Sequence, residues 1–159
     1  MASDLPRDQS FDETQFGHSV VRLRIDGVMV EIVPRDEESP VAGAHRIHDT
    51  IHVISAGNPG FLDTAENNER RHTYMEHRLR DMGVEPFSAI GASPDGKWQE
   101  ASWAVTGMTR QQACELGREF GQVAVFEIDF QRIHLVRCAD LQVVSSRPYG
   151  VVEVSFGGS

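Results

Sequence analysis

Four polar side chains carry the chemistry that this sequence offers. Asn58 follows an apolar run, Arg70 lies in a helical stretch, and Glu100 and Gln122 open two further apolar runs. An arginine–glutamate pair flanked by two carboxamides presents donors and acceptors that read a carboxylate, an amide or a nucleobase edge. Glu100, if withdrawn from water, is also the candidate catalytic residue, as a general base. A plain structural reading stands beside this one. Asn58 sits in Gly57-Asn58-Pro59-Gly60, where turn chemistry alone favours it. Arg70 and Glu100 would then be a structural ion pair, and Gln122 would satisfy backbone groups.

Other chemistries are weaker. His45, His48 and His52 are closely spaced, and His72 and His77 share a helix. Imidazole is a common zinc ligand, but a loop followed by a strand does not preserve helical spacing, and residues five apart on a helix face different ways. No metal and no cofactor are expected. The Gly57–Gly60 turn before a helix could offer N–H groups to a phosphate. It lacks the P-loop lysine, and Pro59 removes a donor. Cys114 lies beside Ala113 and Leu116 on an amphipathic stretch and reads as core. Cys138 reads likewise, so both thiols are expected reduced. Trp98 reads as packing, or as a pocket wall beside the Ser93-Pro94-Asp95-Gly96 loop.

These residues depend on the elements that carry them. Ser19–Ile25 and Val28–Val33 alternate as strands around Asp26-Gly27, the dipeptide suited to a two-residue hairpin. Ile51–Ala56 predicts a strand, and residues ~64–82 a helix with Met75, Leu79 and Met82 on one face; Asn68 and His72 extend that stripe. Asp63 or Thr64 can cap that helix; Asp63 with Glu66, and Thr109 with Gln112, match the capping box. Strands follow at Pro86–Ile90 and Trp98–Val105. A second helix carries Ala113, Leu116 and Phe120, and further strands lie at Val123–Ile128 and Ile133–Val136. The order over 51–136 is β-α-β-β-α-β plus one extra strand. It predicts an α+β fold: a ferredoxin-like split βαβ core, an antiparallel sheet with two helices on one face. The hairpin 19–33 and strands within 141–156 would extend it. One domain is expected over 18–156, after a loosely packed tail at 1–17.

Composition narrows the function. The chain has 159 residues and a net charge of −9, with 15 basic against 24 acidic side chains. Nucleic-acid affinity is built on cations at phosphates, so nucleic acid is not an expected partner. No apolar run of about 18 residues suggests a membrane span. The first residues lack the apolar stretch of a signal peptide. A cytoplasmic protein is expected.

Several motifs occur together: Ser55-Ala56-Gly57-Asn58-Pro59; Asn67, Asn68 and Arg70; Ser93-Pro94-Asp95; Glu100-Ala101-Ser102-Trp103-Ala104-Val105; and Gly117–Glu127. Over about residues 51–136 this set resembles the bacterial DUF3293 family, whose function is unknown. The family pattern has threonine where this chain has Ser55, so the hydroxyl is kept. The resemblance implies no activity, but it adds Asn67 to Asn58, Arg70, Glu100 and Gln122 as candidate ligand-binding residues. The expectation is a domain that binds, and can act on, a small polar metabolite. The alternative is an interaction module, such as a homodimer, pairing through sheet edges.

Overall fold

The computed structural model describes residues 17–38, 40–43, 46–58 and 62–154. The tail expected at 1–17 therefore lies outside the described residues, Gly17 excepted. Nine strands and two helices follow in order: β1 (Val20–Ile25), β2 (Val28–Pro34), β3 (Ile51–Ser55), α1 (Ala65–Asp81), β4 (Phe87–Ala92), β5 (Gln99–Thr106), α2 (Arg110–Glu119), β6 (Ala124–Ile128), β7 (Ile133–Arg137), β8 (Val143–Arg147) and β9 (Tyr149–Glu153).

Local signals place the elements. Asp26 and Gly27 both take positive φ, 53° and 78°, so β1 turns directly onto β2. Thr109 and Gln112 form the reciprocal capping box of α2. At α1 the cap is Thr64, which accepts from the Asn67 N–H. Asp63 is not the cap; it accepts from the Thr64 N–H and the Asn67 carboxamide.

The tertiary arrangement corrects the expected ferredoxin-like split βαβ fold. All nine strands form one antiparallel sheet in the order β8-β7-β6-β3-β5-β4-β1-β2-β9. The N-terminal hairpin and the C-terminal strands are not additions to a finished core. Val20–Leu23 pairs in register with Ala89–Ala92, and Val30–Pro34 with Tyr149–Glu153. β8 and β9 point the same way, with Pro148 alone between them. One pairs with β7 and the other with β2, so this single run joins both ends of the strand order. The sheet is thereby curled into a nearly closed barrel, accompanied among the described residues by two helices.

Closure creates two cores. Val21, Leu23, Val30, Ile32, Val53, Ala89, Ala104 and Tyr149 fill the barrel. Outside it, Met75 and Leu79 of α1 and Ala113, Cys114 and Leu116 of α2 cover Ile54, Val105 and Val125. Strand alternation separates the two: in β3, Val53 points inward and Ile54 toward the helices. At roughly 25 cal/mol per Å² of apolar surface, each fully buried leucine or valine contributes about 1.5–3 kcal/mol. Among the described residues no helix is long and apolar enough to cross a membrane.

Candidate functional site

The barrel's inner face is apolar through its middle and polar at one end. Ser55 pairs with Ser102 across β3 and β5, in phase with the inward Val53 and Ala104. Two residues back along β5, the same phase brings Glu100 inward opposite Gly91 of β4. The Ser55 hydroxyl and the Asn58 carboxamide hydrogen-bond its carboxyl. Burial nevertheless dominates and pushes that carboxyl up to about 7, against an ordinary 4.5. Trp98, two residues before Glu100, projects its six-membered ring to 3.9 Å from the point where a Gly91 Cβ would stand.

Asn58 is fixed from behind. It takes a left-handed φ of 47°, which asparagine tolerates better than most residues. Its N–H donates to Asn68 Oδ1 at 2.8 Å, and its Oδ1 accepts from Asn68 Nδ2 at 2.9 Å and from the Asp63 N–H at 3.1 Å. With Oδ1 occupied, Nδ2 is the atom it offers Glu100. Gly57 allows this approach, because a Cβ there would meet Asn68 Cγ at 3.2 Å. Arg71 completes the lock, with Nη1 at 2.6 Å from Asp63 Oδ2 and 3.3 Å from Asn68 Oδ1. Hydrogen bonds from Asn67 and Thr64 and the Arg71 guanidinium hold the Asp63 carboxyl below its usual range.

The structure brings Asn58 and Glu100 together and assigns different work to the other sequence candidates. Gln122 donates to the carbonyls of Gly57 at 2.8 Å and Phe120 at 3.3 Å, so it braces the loop that carries Asn58. Arg70 is exposed and donates to Asn67 and Glu66 within its own helix. Asn67 is occupied by Asp63 and Arg70. Sequence reading missed Asn68 and Arg71 as supports and Ser55 as a direct partner. The signal was present for two of them: Asn68, Arg71, Met75 and Leu79 follow the helical repeat that turns inward, while Arg70 lies off it.

A second polar cluster lies on the helix-covered face. Arg110, in the first turn of α2, holds Glu127 with both ends of its fork, at 2.9 and 2.7 Å. That guanidinium keeps the Glu127 carboxyl well below the usual carboxylate range, despite its burial. An ionised carboxylate only accepts, so His52 Nε2 donates to Glu127 Oε1 across 3.0 Å. This occupies His52, one of the histidines considered for metal. His48 contacts Asp26, His72 stacks on Trp103 at 4.2 Å, and His45 lies outside the described residues. Among the described residues no group of three or more His, Cys, Asp and Glu side chains is placed to hold a metal ion. The phosphate-binding turn is described only through Asn58. Cys114 and Cys138 are free, buried and hydrogen-bonded to each other.

Comparison with known proteins adds one identification. The model of a family described as a protein of unknown function, DUF3293, matches residues 54–125, from the end of β3 to the start of β6. The resemblance carried by the motifs is thereby confirmed over that segment. No curated protein and no solved structure matches the chain.

Proposed function

We propose, since the family assigns no activity, that the protein binds a small polar ligand at the polar end of its barrel and exchanges a proton with it through Glu100. One observation carries this reading: an inward carboxyl held by two neutral partners, Ser55 and Asn58, and poised near neutrality. A group that titrates near the working pH is suited to both halves of acid–base catalysis. Glu100 stands opposite the bare backbone of Gly91, and the Trp98 ring lies against that same glycine. The sheet-edge alternative is the weaker reading, because the two end strands are short and belong to one run through Pro148.

Native mass spectrometry of protein purified from its own host tests this directly. The expected result is a co-purifying small molecule that Glu100→Gln loses and Arg70→Ala keeps. Equal retention by Glu100→Gln, with the fold intact, would sink the proposal.

A further inference from the structure

We infer that Cys114 and Cys138 form an oxidisable pair, which a peroxide converts into an intramolecular disulfide fastening α2 to the end of β7. This modification site stands apart from the polar end of the barrel and does not depend on the reading of Glu100.

The starting point is a contact between two thiols that lie far apart in sequence. The chain has 2 cysteines. Cys114 lies in the second turn of α2, and Cys138 directly follows β7. Both are free and buried, and they hydrogen-bond to each other. The backbones behind them are held on both sides. Arg110, Cys114 and Arg118 recur every four residues and so share one face of α2. Arg110 grips Glu127 of β6, and Arg118 Nη1 donates to the Cys138 carbonyl at 2.7 Å. The Cys138 N–H donates to the Val123 carbonyl at 2.8 Å. Gly117 lets the helix lie close, since a Cβ there would meet Cys138 Sγ at 3.0 Å. Elements already in place thus present the two sulfurs to each other, and a bond between them leaves the strand order untouched.

The two thiols are also unequal, which assigns their roles. The hydrogen bond with Cys138 and the guanidinium groups of Arg118 and Arg110 hold the Cys114 thiol below its ordinary value, against burial and the Glu127 carboxylate. That same hydrogen bond and burial push the Cys138 thiol up. Cys114 is therefore the attacking sulfur, because the thiolate is the nucleophile. It attacks one oxygen of hydrogen peroxide. An S–O bond forms, the O–O bond breaks, and the departing hydroxide leaves as water with the proton that Cys114 gave up. Cys138 then attacks the sulfur of the Cys114 sulfenic acid. The S–S bond forms, the S–O bond breaks, and a second water leaves with the Cys138 proton. The two thiols together lose two electrons and two protons, and the peroxide is reduced to two waters. Burial makes the first step wait on brief openings of α2. The disulfide then closes a loop of about two dozen residues, which restricts the unfolded chain and holds the helix down.

The test uses the full chain, hydrogen peroxide, and dimedone as a trap for sulfenic acid. Under native conditions peroxide should give a monomer that has lost two hydrogens and takes up no iodoacetamide after unfolding. Proteolysis should release one peptide joining Cys114 to Cys138. The melting temperature should rise by roughly 5–10 °C and return with dithiothreitol. Cys138→Ser should stop at a sulfenic acid that dimedone captures on Cys114. Cys114→Ser should react many-fold more slowly, with dispersed amide spectra showing that both variants fold. Should neither fold, the parent decides alone. When folded it should pass to the disulfide with little dimedone adduct, whereas in urea, where the thiols separate, dimedone should capture most of it. The inference falls if the folded parent keeps two alkylatable thiols or ends in sulfinic acids or chain-to-chain dimers. It falls equally if dimedone captures as much of the folded chain as of the unfolded one; the contact is then core packing alone.

Discussion

Glu100 makes the fold sensitive to pH in a direction opposite to that of the chain's paired acids. Its carboxyl titrates near 7 when folded and near 4.5 in an ordinary setting. The folded chain thus holds a proton that the unfolded chain has released between those values, so this residue lowers stability as pH rises through that window. At roughly 1.4 kcal/mol per pH unit the penalty above pH 7 amounts to about 3 kcal/mol. Thermal melts of Glu100→Gln should show higher stability than the parent at pH 8 and little difference at pH 4. A glutamine that gains nothing at pH 8 would show that Glu100 ionises without cost. Glu127 works the other way: held low by Arg110, it contributes stability that is present above the ordinary glutamate value and lost as pH falls through its folded value. Arg110→Met leaves that carboxylate facing only His52. Because the arginine is itself over a third exposed, the expected loss is about 2 kcal/mol, below the range for a fully buried pair, readable by urea denaturation.

On the scale of elements, helical phase decides which of several similar neighbours matters. Asn67 and Asn68, and Arg70 and Arg71, are adjacent pairs that composition does not distinguish. Inward-facing Met75 and Leu79 set the repeat, and it selects Asn68 and Arg71. Arg70→Ala should therefore leave the melting temperature unchanged within error, whereas Arg71→Ala should lower it measurably by stranding Asp63 and loosening Asn68. The caps, the Asp26-Gly27 turn and the strands themselves were legible in the sequence because each is encoded within a few residues. Glu100 beside Asn58 was legible because both sit at the ends of strands that the local order makes neighbours. The joining of β1 to β4 and of β2 to β9 was not. Those pairings link residues far apart in sequence, and alternation says only that a face is buried, not against which strand. The contact of Cys114 with Cys138 was hidden for the same reason. Gly117, one turn along α2 from Cys114, records that contact: a Cβ there would meet Cys138 Sγ at 3.0 Å and Val125 Cγ1 at 3.1 Å. Gly117→Ala gains about 1 kcal/mol in helix propensity, yet should be destabilising overall, because overpacking a closed core costs about 1–3 kcal/mol. A raised denaturation midpoint would mean that α2 can lift from the sheet.

At the scale of the whole molecule, the segment shared with the family is not a self-sufficient unit. Residues 54–125 contain both helices, β4 and β5, but only the ends of β3 and β6. Val21, Leu23, Val30, Ile32 and Tyr149, which fill the barrel, all lie outside it. Expressed alone, that segment should show the poorly dispersed amide spectrum of an unfolded or molten chain, while residues 17–154 should give a dispersed one. The run through Pro148 also orders events in time. On a ribosome, β2 pairs early with β1, but its other edge waits until β9 has been made, more than a hundred residues later. Until then that edge is unpaired and open to any neighbouring strand. A strand made late is therefore the one that protects an early one, and nascent chains stalled before Tyr149 should be held by chaperones longer than chains that have passed Glu153.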